Sequence, residues 1–401
     1  MTIARKVAVV GSLLLIGLLI GPLGWWSMRQ PREGEQLSFY RPSKSALAEL
    51  TQRARDGEVA DELGRLPIEE EMARELFGLD HPYNRYDPHA YYTHELNLDA
   101  LRPFKEHPEG GWKMRTNSVG MRRDSEPAAS TPDLRVLVVG DSHVDGICNN
   151  SENLCAIAEA ELESKYQGAV VEVLNGARGG HSFWNYLGVI EKHLSLDPDV
   201  VVVTVFGGND FTDVLLLAHA FEGTNSRGLT PESKERREEA LTMSRYVLGQ
   251  GYGTMLFFKD RPLELDYSLE IAGRILDEIS RTCSDAGAEL LLMYLPSPLS
   301  LPFERAPRGE PAIRALLGFD EEDFALPATI RRRLFSTAVD LGVTTLDLTP
   351  TLTECEDACF WETDLHLSVT GHGRIGLLLA ERIDALSGAR GRLKAGEKDS
   401  R

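Results

Sequence analysis

The chain has 401 residues, of which 42% are hydrophobic and 26% are charged, and this is enough for one sizeable α/β domain with additions. The formal net charge of -19 argues against a nucleic-acid partner, because contacts to phosphates need clustered Lys and Arg side chains. The same charge disfavours electrostatic docking on anionic lipid headgroups.

The N-terminal segment predicts a membrane anchor. Arg5 and Lys6 precede Val7–Trp26, a run of about twenty uncharged residues that is long enough to cross a hydrocarbon core. A cleaved signal peptide usually has a shorter apolar region and a small-x-small cleavage site, which Gly21–Gly24 matches poorly. We therefore expect a single-pass anchor, with the remaining chain in the periplasm or outside the cell.

The five cysteines agree with this location but do not require it. Cys148 and Cys155 are seven positions apart, and Cys355 and Cys359 are four apart. Either pair would close a small loop in an oxidising compartment and stabilise the fold by roughly 2–3 kcal/mol. The alternative is that all five are reduced and pack as small hydrophobes, and the sequence does not decide between the two.

Alternating strand and helix patterns predict a parallel sheet between two helical layers, so the fold class is three-layer α/β/α. The predicted strands are apolar runs, as expected for strands buried on both faces: 134–139, 170–174, 200–206, 289–295 and 344–348. The predicted helices have helical spacing of apolar residues: 154–166, 183–194, 269–286, 328–341 and 370–386.

The rest of the chain is organised around this domain. The predicted segments are a cytoplasmic tail, the anchor, a spacer with an irregular extension, the main domain and a flexible tail: 1–6, 7–26, 27–130, 131–390 and 391–401. Within the extension, 45–77 has helical spacing, whereas 81–112 carries many Tyr, Pro and Asn without a period. Within the domain, 211–262 is predicted to be an insertion whose charged run indicates a solvated helix face, with a lid as the alternative.

A serine follows the first predicted strand. Gly140-Asp141-Ser142 comes directly after 134–139, and ligands bind at the carboxyl ends of the strands in open α/β sheets. Gly140 permits a tight turn, and the backbone N–H of Ser142 would point at a developing oxyanion. By itself the motif is weak, because an ordinary serine in a loop after a strand looks the same.

Three further motifs follow in the chain. Asn175–Ser182 and Gly207–Asp210 come after the second and third predicted strands, and Asp364-Leu365-His366 lies near the C-terminus. His366 has the chemistry to take a proton from Ser142 and return it to a leaving alcohol. Asp364 would fix the imidazole tautomer and stabilise the imidazolium.

In this order the four motifs resemble the SGNH (GDSL-type) hydrolase family, which has a flavodoxin-like parallel sheet. The resemblance implies that Ser142 is the nucleophile and that the oxyanion is held by the N–H groups of Ser142 and Gly180 and by the side chain of Asn209. Gly179 is the alternative to Gly180, and Asp210 would orient its loop. Upstream, Asn117–Arg122 resembles the Asn-x-x-Gly-x-Arg lead-in of membrane-anchored bacterial members, where a cap on the sheet edge is the expected role.

The C-terminal motif departs from the commonest family pattern, in which the acid precedes the histidine by three positions. Thr363 occupies that position here, and Asp364 precedes His366 by two. This spacing resembles the family branch that modifies exopolysaccharides, some members of which transfer acetyl groups. The assignment of His366 is therefore firmer than the assignment of Asp364.

Other histidines are weaker candidates. His181 and His372 are rival bases, but a loop side chain and a structural position at a helix start are the preferred interpretations. His143 occupies the variable fourth position of the family motif and is expected not to be catalytic. His89 and His94 have no ligand spacing that completes a metal site, and no phosphate-binding glycine loop is present, so we predict no cofactor.

The predicted function is a serine esterase that hydrolyses small acyl esters through an acyl-enzyme on Ser142. O-acetyl groups on envelope or exported carbohydrate are the expected substrates, by analogy with the family and from the predicted location. One alternative is a carbohydrate O-acyltransferase with the same residues. The other is an inactive SGNH-like protein that binds polysaccharide or scaffolds an envelope complex.

Overall fold

The computed structural model describes residues 43–225, 228–302, 309–355 and 359–386, together with Gly391 and Leu393. The predicted anchor at 7–26 and most of the predicted C-terminal tail lie outside these residues. Within the described ranges, no helix is both long and apolar enough to cross a membrane.

The N-terminal extension consists of two helices followed by four short strands. In chain order these are α1 (Lys44–Arg55), α2 (Glu70–Phe77), β1 (Asn84–Asp87), β2 (Tyr91–His94), β3 (Asp99–Pro103) and β4 (Gly111–Arg115). The strands pair as two antiparallel hairpins, β1–β2 and β3–β4. The prediction that 81–112 is irregular was therefore wrong, because strands of four or five residues are too short to show a period of two.

The main domain follows with five strands, each close to its predicted position. Its first half contains β5 (Leu134–Val139), α3 (Ser142–Asp145), α4 (Leu154–Lys165), β6 (Val171–Asn175), α5 (Phe183–His193), β7 (Val200–Phe206) and α6 (Asp210–Phe221). Its second half contains α7 (Pro231–Met243), α8 (Arg245–Val247), α9 (Gly253–Asp260), α10 (Pro262–Asp285), β8 (Glu289–Leu295), α11 (Glu310–Leu317), α12 (Leu326–Asp340), β9 (Thr344–Asp347), α13 (Thr349–Thr353) and α14 (Val369–Ala385). Short irregular helical turns cover Asn150–Glu152, Leu194–Leu196, Leu248–Tyr252, Pro298–Ser300 and Asp323–Ala325.

The five domain strands form one parallel sheet in the order β6-β5-β7-β8-β9. This confirms the predicted α/β class, and the strand order is that of flavodoxin-like doubly wound folds. In such sheets ligands bind beyond the carboxyl ends of the two neighbouring strands at which the winding changes direction, here β5 and β7. Ser142 and Asn209 follow these two strands.

Two hydrophobic cores lie on opposite faces of the sheet, as an alternating side-chain direction requires. Along β7, Val201 and Val203 belong to the core under α5, α6, α10 and α12, whereas Val200 and Val202 belong to the core under α4 and α14. Every residue of β7 is buried. Burial on both faces explains why this strand is a continuous apolar run in the sequence.

The insertion begins later than the sequence predicted. Phe211 and Val214 lie on α6 in the main core, so α6 is the ordinary helix that follows β7 and the insertion proper starts after it. The charged helix α7 buries only Ser233 and Ala240, in agreement with a solvated face. The insertion and α11 share a third apolar core that also contains Leu365, the residue between Asp364 and His366.

Candidate active site

The loop after β5 presents Ser142 at the carboxyl edge of the sheet. The Asp141 carboxylate caps α3 by accepting the N–H of His143 at 2.9 Å, and Ser142 is the first residue of that helix. Gly140 is required for the turn, because a Cβ at this position would lie 2.5 Å from Cγ2 of Val144. Ser142 itself remains partly exposed to solvent.

The C-terminal motif meets this serine across the edge of the sheet. His366 Nε2 lies 2.8 Å from Ser142 Oγ, which is the expected hydrogen bond between these two residues. His366 is buried, and its carbonyl oxygen accepts the N–H of Trp361 at 2.8 Å. Leu365 has a φ of 66°, a left-handed conformation that is costly for a branched residue and marks a tightly constrained turn.

Asp364 lies behind the imidazole, although its spacing from His366 is unusual for the resembled family. One carboxylate oxygen accepts the backbone N–H of His366 at 3.0 Å, and the other lies 3.5 Å from His366 Nδ1. The second distance is longer than a well-formed hydrogen bond but suits an ion pair with the imidazolium. Thr363, which occupies the position usual for the acid, is exposed, whereas Asp364 is buried.

The electrostatic surroundings favour a protonated His366. Burial lowers the pKa of this imidazole, but the negative charges of Asp364, Asp141 and Asp145 outweigh burial, so the net shift is upward from 6.5. For the neighbouring Asp141 carboxyl, burial acts in the opposite direction and raises the pKa to about 6. The imidazolium that forms when a proton leaves Ser142 is therefore stabilised by the carboxylates around it.

The glycine loop after β6 lies beside the serine. A Cβ on Gly179 would be 3.5 Å from Cβ of Ser142, and the Gly179 N–H donates to Asp145 Oδ2 at 3.1 Å. Gly180 has a φ of 81°, which glycine adopts without strain. Because the N–H of Gly179 is already engaged, Gly180 stays the preferred candidate for the oxyanion donor.

The third loop places Asn209 at the start of α6. Its side-chain amide donates to Asp213 Oδ2 at 2.6 Å, and an amide nitrogen carries a second hydrogen that this contact does not use. Asp210 is buried and accepts the Tyr186 hydroxyl and the Phe206 N–H, both at 2.8 Å. Asp210 therefore orients its loop, and the role of Asn209 as an oxyanion donor stays a prediction.

The rival histidines are held in the protein interior. His181 is buried with Nε2 2.9 Å from the carbonyl oxygen of Tyr92, and His372 accepts the N–H of Leu154 at Nδ1, 3.3 Å away. Burial lowers the pKa of each imidazole to about 3. Among the described residues, neither imidazole is hydrogen-bonded to Ser142, whereas that of His366 is.

Sequence reasoning missed Gln250, which the insertion contributes to this site. The side chain is buried, with Nε2 3.3 Å from His366 Nε2 and Oε1 2.8 Å from His143 Nε2. The His143 ring packs at a tilt against the rings of Phe206 and His366, at centroid distances of 4.0 and 4.7 Å. No motif marks Gln250, because a glutamine in an insertion has no spacing relation to the other site residues.

The lead-in motif supports the serine loop from below. Arg122 is fully buried, and its guanidinium donates to the carbonyl oxygens of Asp145, Gly146 and Cys148. The same group lies over the ring of Trp112, 4.7 Å from its centroid. The backbone N–H of Arg122 also donates to the carbonyl of Asn175 at the end of edge strand β6, at 3.0 Å. Arg122 therefore contacts the serine loop as well as the sheet edge.

The hairpins of the extension also contact the site. His94 on β2 lies with Nε2 3.0 Å from Asp145 Oδ1, and the Tyr92 hydroxyl donates to the Gly179 carbonyl at 3.2 Å. In the turn between β3 and β4, the Glu106 carboxylate accepts the N–H groups of Glu362 at 2.6 Å and Thr363 at 3.0 Å. The extension therefore supports the glycine loop and the turn that carries Asp364 and His366.

Removing the Glu106 carboxylate should slow catalysis without unfolding the protein. Glu106→Ala frees two N–H groups directly before Asp364, and a displacement of the imidazole by about 1 Å costs roughly 10- to 100-fold in rate. The measurement is kcat for a p-nitrophenyl ester, with Tm by circular dichroism. Glu109→Ala is the matched control, because Glu109 lies exposed in the same turn. Equal kcat values for the two variants would contradict the bracing role.

The cysteines divide into one disulfide and three thiols. Cys355 and Cys359 are bonded, whereas Cys148, Cys155 and Cys283 are free and buried. The possible pairing of Cys148 with Cys155 is therefore not formed in this structure. Both thiols are buried, Cys155 within the core under α4 and α14, and burial raises the pKa of the Cys148 thiol to about 12, which leaves it unreactive.

No protein-family model and no curated protein matches this chain. Solved structures resemble it in fold. An acetyl-xylooligosaccharide esterase variant from Geobacillus Stearmophilus is 14% identical over 64% of this chain and 95% of its own, with a TM-score of 0.36. An acetyl xylan esterase is 15% identical over 63% and 98%, with a TM-score of 0.37. A GDSL-like lipase from Bacteroides thetaiotaomicron is 13% identical over 63% and 90%, with a TM-score of 0.34.

These identities and TM-scores are too low to transfer an activity or a substrate to this chain. Its chemistry has to be inferred from its own residues. Within the described ranges, no group of His, Cys, Asp and Glu side chains is arranged to hold a metal ion.

Proposed function

We propose that this chain is a serine esterase in which Ser142 is the nucleophile and His366 the general base. The observation that carries the proposal is the 2.8 Å contact between Ser142 Oγ and His366 Nε2, with buried Asp364 behind the imidazole. A nucleophile within hydrogen-bond reach of a base, which is in turn oriented by a third group, is the arrangement that nucleophilic catalysis requires.

The proposed reaction has two acyl-transfer steps. Ser142 Oγ attacks the ester carbonyl while its proton moves to His366 Nε2, and that proton then passes to the leaving alcohol. Water, deprotonated by the same imidazole, releases the acid from the acyl-enzyme. The N–H groups of Ser142 and Gly180 and the Asn209 amide would hold the oxyanion, and each such donor contributes about 3–4 kcal/mol to the lowering of the barrier.

The proposed substrate is a small acyl ester, with O-acetyl groups on exported carbohydrate as the expected class. Support for a small acyl group comes from the side chain of Ser142, which is only partly exposed and lies beside the His366 ring and Gly179. Support for carbohydrate comes from the two-residue spacing between Asp364 and His366, which resembles that of exopolysaccharide-modifying proteins. Acetyl esters should therefore be cleaved faster than butyryl or octanoyl esters.

Labelling with a fluorophosphonate tests the nucleophile directly. We expect a stoichiometric adduct that peptide mass spectrometry places on Ser142, and no adduct in Ser142→Ala. With an acetylated oligosaccharide, free acetate as the product indicates a hydrolase, and acetate moved to an added sugar acceptor indicates a transferase. An intact, folded wild-type protein that neither labels nor cleaves any of the p-nitrophenyl esters would overturn the esterase proposal in favour of a binding protein.

The rate should fall on acidification with a midpoint above 6.5, the ordinary pKa of histidine. The base form of His366 is required, and the carboxylates around the ring raise its pKa. Activity is therefore present above the folded-state pKa and is lost as pH falls through it. A profile of kcat/KM from pH 5 to pH 9 measures this, because kcat/KM reports the free enzyme. A midpoint below 6.5 would contradict the charge environment described for His366.

We also propose that the domain works outside the cytoplasm, tethered by the segment at 7–26. The disulfide between Cys355 and Cys359 supports an oxidising compartment, because such bonds rarely persist in the cytosol. Denatured protein from the native membrane should take up alkylating reagent at three cysteines without reduction and at five after it. The Cys355→Ser variant, as control, should be alkylated at all its remaining cysteines in both conditions. Five alkylated cysteines in unreduced wild type would contradict the proposed compartment.

A further inference from the structure

We propose that Gln250, held by His143, fixes the neutral ring of His366 in the tautomer that leaves Nε2 without a proton, as a positioning residue supplied by the insertion. The inference rests on the proposed function, because it gives Gln250 a role only if His366 is the base. Gln250 belongs to none of the four sequence motifs.

The geometry at His366 Nε2 determines which tautomer the ring adopts. This nitrogen has two polar neighbours, Ser142 Oγ at 2.8 Å and Gln250 Nε2 at 3.3 Å. An amide nitrogen only donates, so the contact from Gln250 requires a lone pair on His366 Nε2. Nδ1 must then carry the proton of the neutral ring, on the side that faces Asp364. That is the tautomer in which Nε2 can accept the Ser142 proton, and its single lone pair is shared between the Ser142 hydroxyl at 2.8 Å and the Gln250 amide at 3.3 Å.

The orientation of the Gln250 amide depends on its neighbours, since the oxygen and nitrogen of an amide can exchange places by a flip. Oε1 lies 2.8 Å from His143 Nε2, and because an amide oxygen only accepts, this orientation requires a proton on that nitrogen. His143 is buried with its ring packed on Phe206, and burial keeps its pKa well below 6.5, so the ring is neutral. Among the described residues, Nδ1 of His143 has no hydrogen-bond partner, so the single ring proton finds an acceptor on Nε2, and this directs the amide nitrogen of Gln250 to His366.

Contacts of its backbone hold Gln250 in place. Its carbonyl oxygen accepts a hydrogen bond from the Ser297 hydroxyl at the end of β8. Gly251 follows with a φ of 151°, a conformation that side chains rarely adopt, and a Cβ there would lie 2.4 Å from Ser297 Oγ. Gly208 approaches the same carbonyl, which would lie 3.0 Å from a Cβ on Gly208. The sheet edge therefore fixes the backbone from which the amide reaches His366.

The hydrogen bond from Gln250 should lower the pKa of His366. A hydrogen bond donated to the neutral form of a base disfavours its charged form, so Gln250 opposes the carboxylates that raise the pKa of His366. After proton transfer, the amide offers no acceptor to the new N–H on Nε2, which is left to the leaving alcohol. The titratable groups around the His366 ring are three carboxylates and two imidazoles: Asp141, Asp145, Asp364, His143 and His372. His143 and His372 have lowered pKa values and stay neutral through the range in which His366 titrates.

Nitrogen-15 NMR of the full-length protein with labelled histidine tests the proposal without reference to any substrate. Long-range proton–nitrogen correlation reports which ring nitrogen carries the proton, and His366→Gln and His143→Gln assign the two rings. In the wild-type protein, at a pH where both rings are neutral, we expect the proton on Nδ1 of His366 and on Nε2 of His143. The opposite tautomer at either ring would overturn the proposal, even if no variant of Gln250 folds.

Titration of the Gln250 variants tests the electrostatic effect. Gln250→Leu removes the donor and should raise the pKa of His366 by roughly half a unit to one unit. Gln250→Glu places a carboxylate beside the ring and should raise this pKa by about 1–3 units. The matched control is Gln167→Glu, which makes the same exchange at an exposed position, and it should leave the pKa unchanged. A His366 pKa equal to that of wild type in both Gln250 variants would overturn the proposal.

The two proposals fail separately. If Ser142 does not react with a fluorophosphonate but the tautomers and pKa shifts are as expected, the esterase function falls and the Gln250 contact stands as a structural fact. If Ser142 reacts and the Gln250 variants leave His366 unchanged, the esterase stands and Gln250 has no positioning role.

Discussion

His366→Ala should lower kcat for a p-nitrophenyl ester by at least about 10⁴-fold, the largest effect expected of any single substitution in this protein. Among the residues that the structure describes, this imidazole is the group within hydrogen-bond reach of Ser142 Oγ that has an accepting nitrogen and a carboxylate behind it. Without it, the Ser142 proton has to pass to water or to the Asp141 carboxylate, whose Oδ2 lies 3.4 Å from Ser142 Oγ. Binding of the ester should change far less, because the imidazole acts mainly on the transition state.

The double variant makes this prediction sharper. Residues that act as one unit are strongly non-additive, so Ser142→Ala added to His366→Ala should cost almost nothing further. Steady-state kinetics on the two single variants and the double variant measure this. His89→Ala is the control, since His89 is exposed, and it should keep the wild-type rate. Losses that multiply in the double variant would show that Ser142 and His366 act independently and would contradict the proposed pair.

Arg122→Ala should lower the free energy of unfolding by about 3–5 kcal/mol, the largest stability effect that we expect from a polar side chain. The guanidinium is buried and donates hydrogen bonds to the carbonyl oxygens of Asp145, Gly146 and Cys148. Alanine would remove the Arg122 donor from all three acceptors, of which Asp145 keeps the Asn153 amide at 3.2 Å, and would leave a cavity beside Trp112. Because these carbonyls belong to the loop after Ser142, the surviving folded protein should also lose activity.

Urea denaturation at constant temperature measures the change, with activity assayed on the same samples. Arg123→Ala is the matched control: its guanidinium is partly exposed and pairs with Glu159, so its loss should cost at most about 1 kcal/mol. Arg122→Lys should recover little stability, because a compact ammonium cannot reproduce the planar fork that reaches three carbonyls. Equal losses for Arg122→Ala and Arg123→Ala would show that the buried contacts do not carry the stability assigned to them.

The sheet was predictable because its strands are buried on both faces. The runs 134–139, 200–206 and 289–295 have the bounds that the sequence predicted, since a strand covered by helices on both sides contains almost only apolar residues. The β1–β2 and β3–β4 hairpins were not predicted. Their strands are four or five residues long, β2 is fully buried and β3 is mostly exposed, so no common burial pattern marks them in the sequence.

The site divides in the same way. Ser142, Asp364 and His366 follow from local motifs, because a nucleophile, its base and the acid behind the base must be particular residue types at particular points of the fold. Asp364 does not follow from the usual spacing, and its burial and its contacts with the His366 N–H and Nδ1 separate it from exposed Thr363. The choice between the two cysteine pairs also had to come from the structure, since two short spacings are compatible with the same chemistry.

The sequence alone therefore determined the parallel sheet, the strands that carry the site and the residue types that react. Only the tertiary structure decided what holds those residues: Arg122 under the serine loop, Glu106 against the turn before His366, and Gln250 beside its ring. The physical reason is that strand burial and catalytic chemistry restrict residues by local pattern. A supporting hydrogen bond can come from any segment that folding brings close, so no spacing in the chain identifies it.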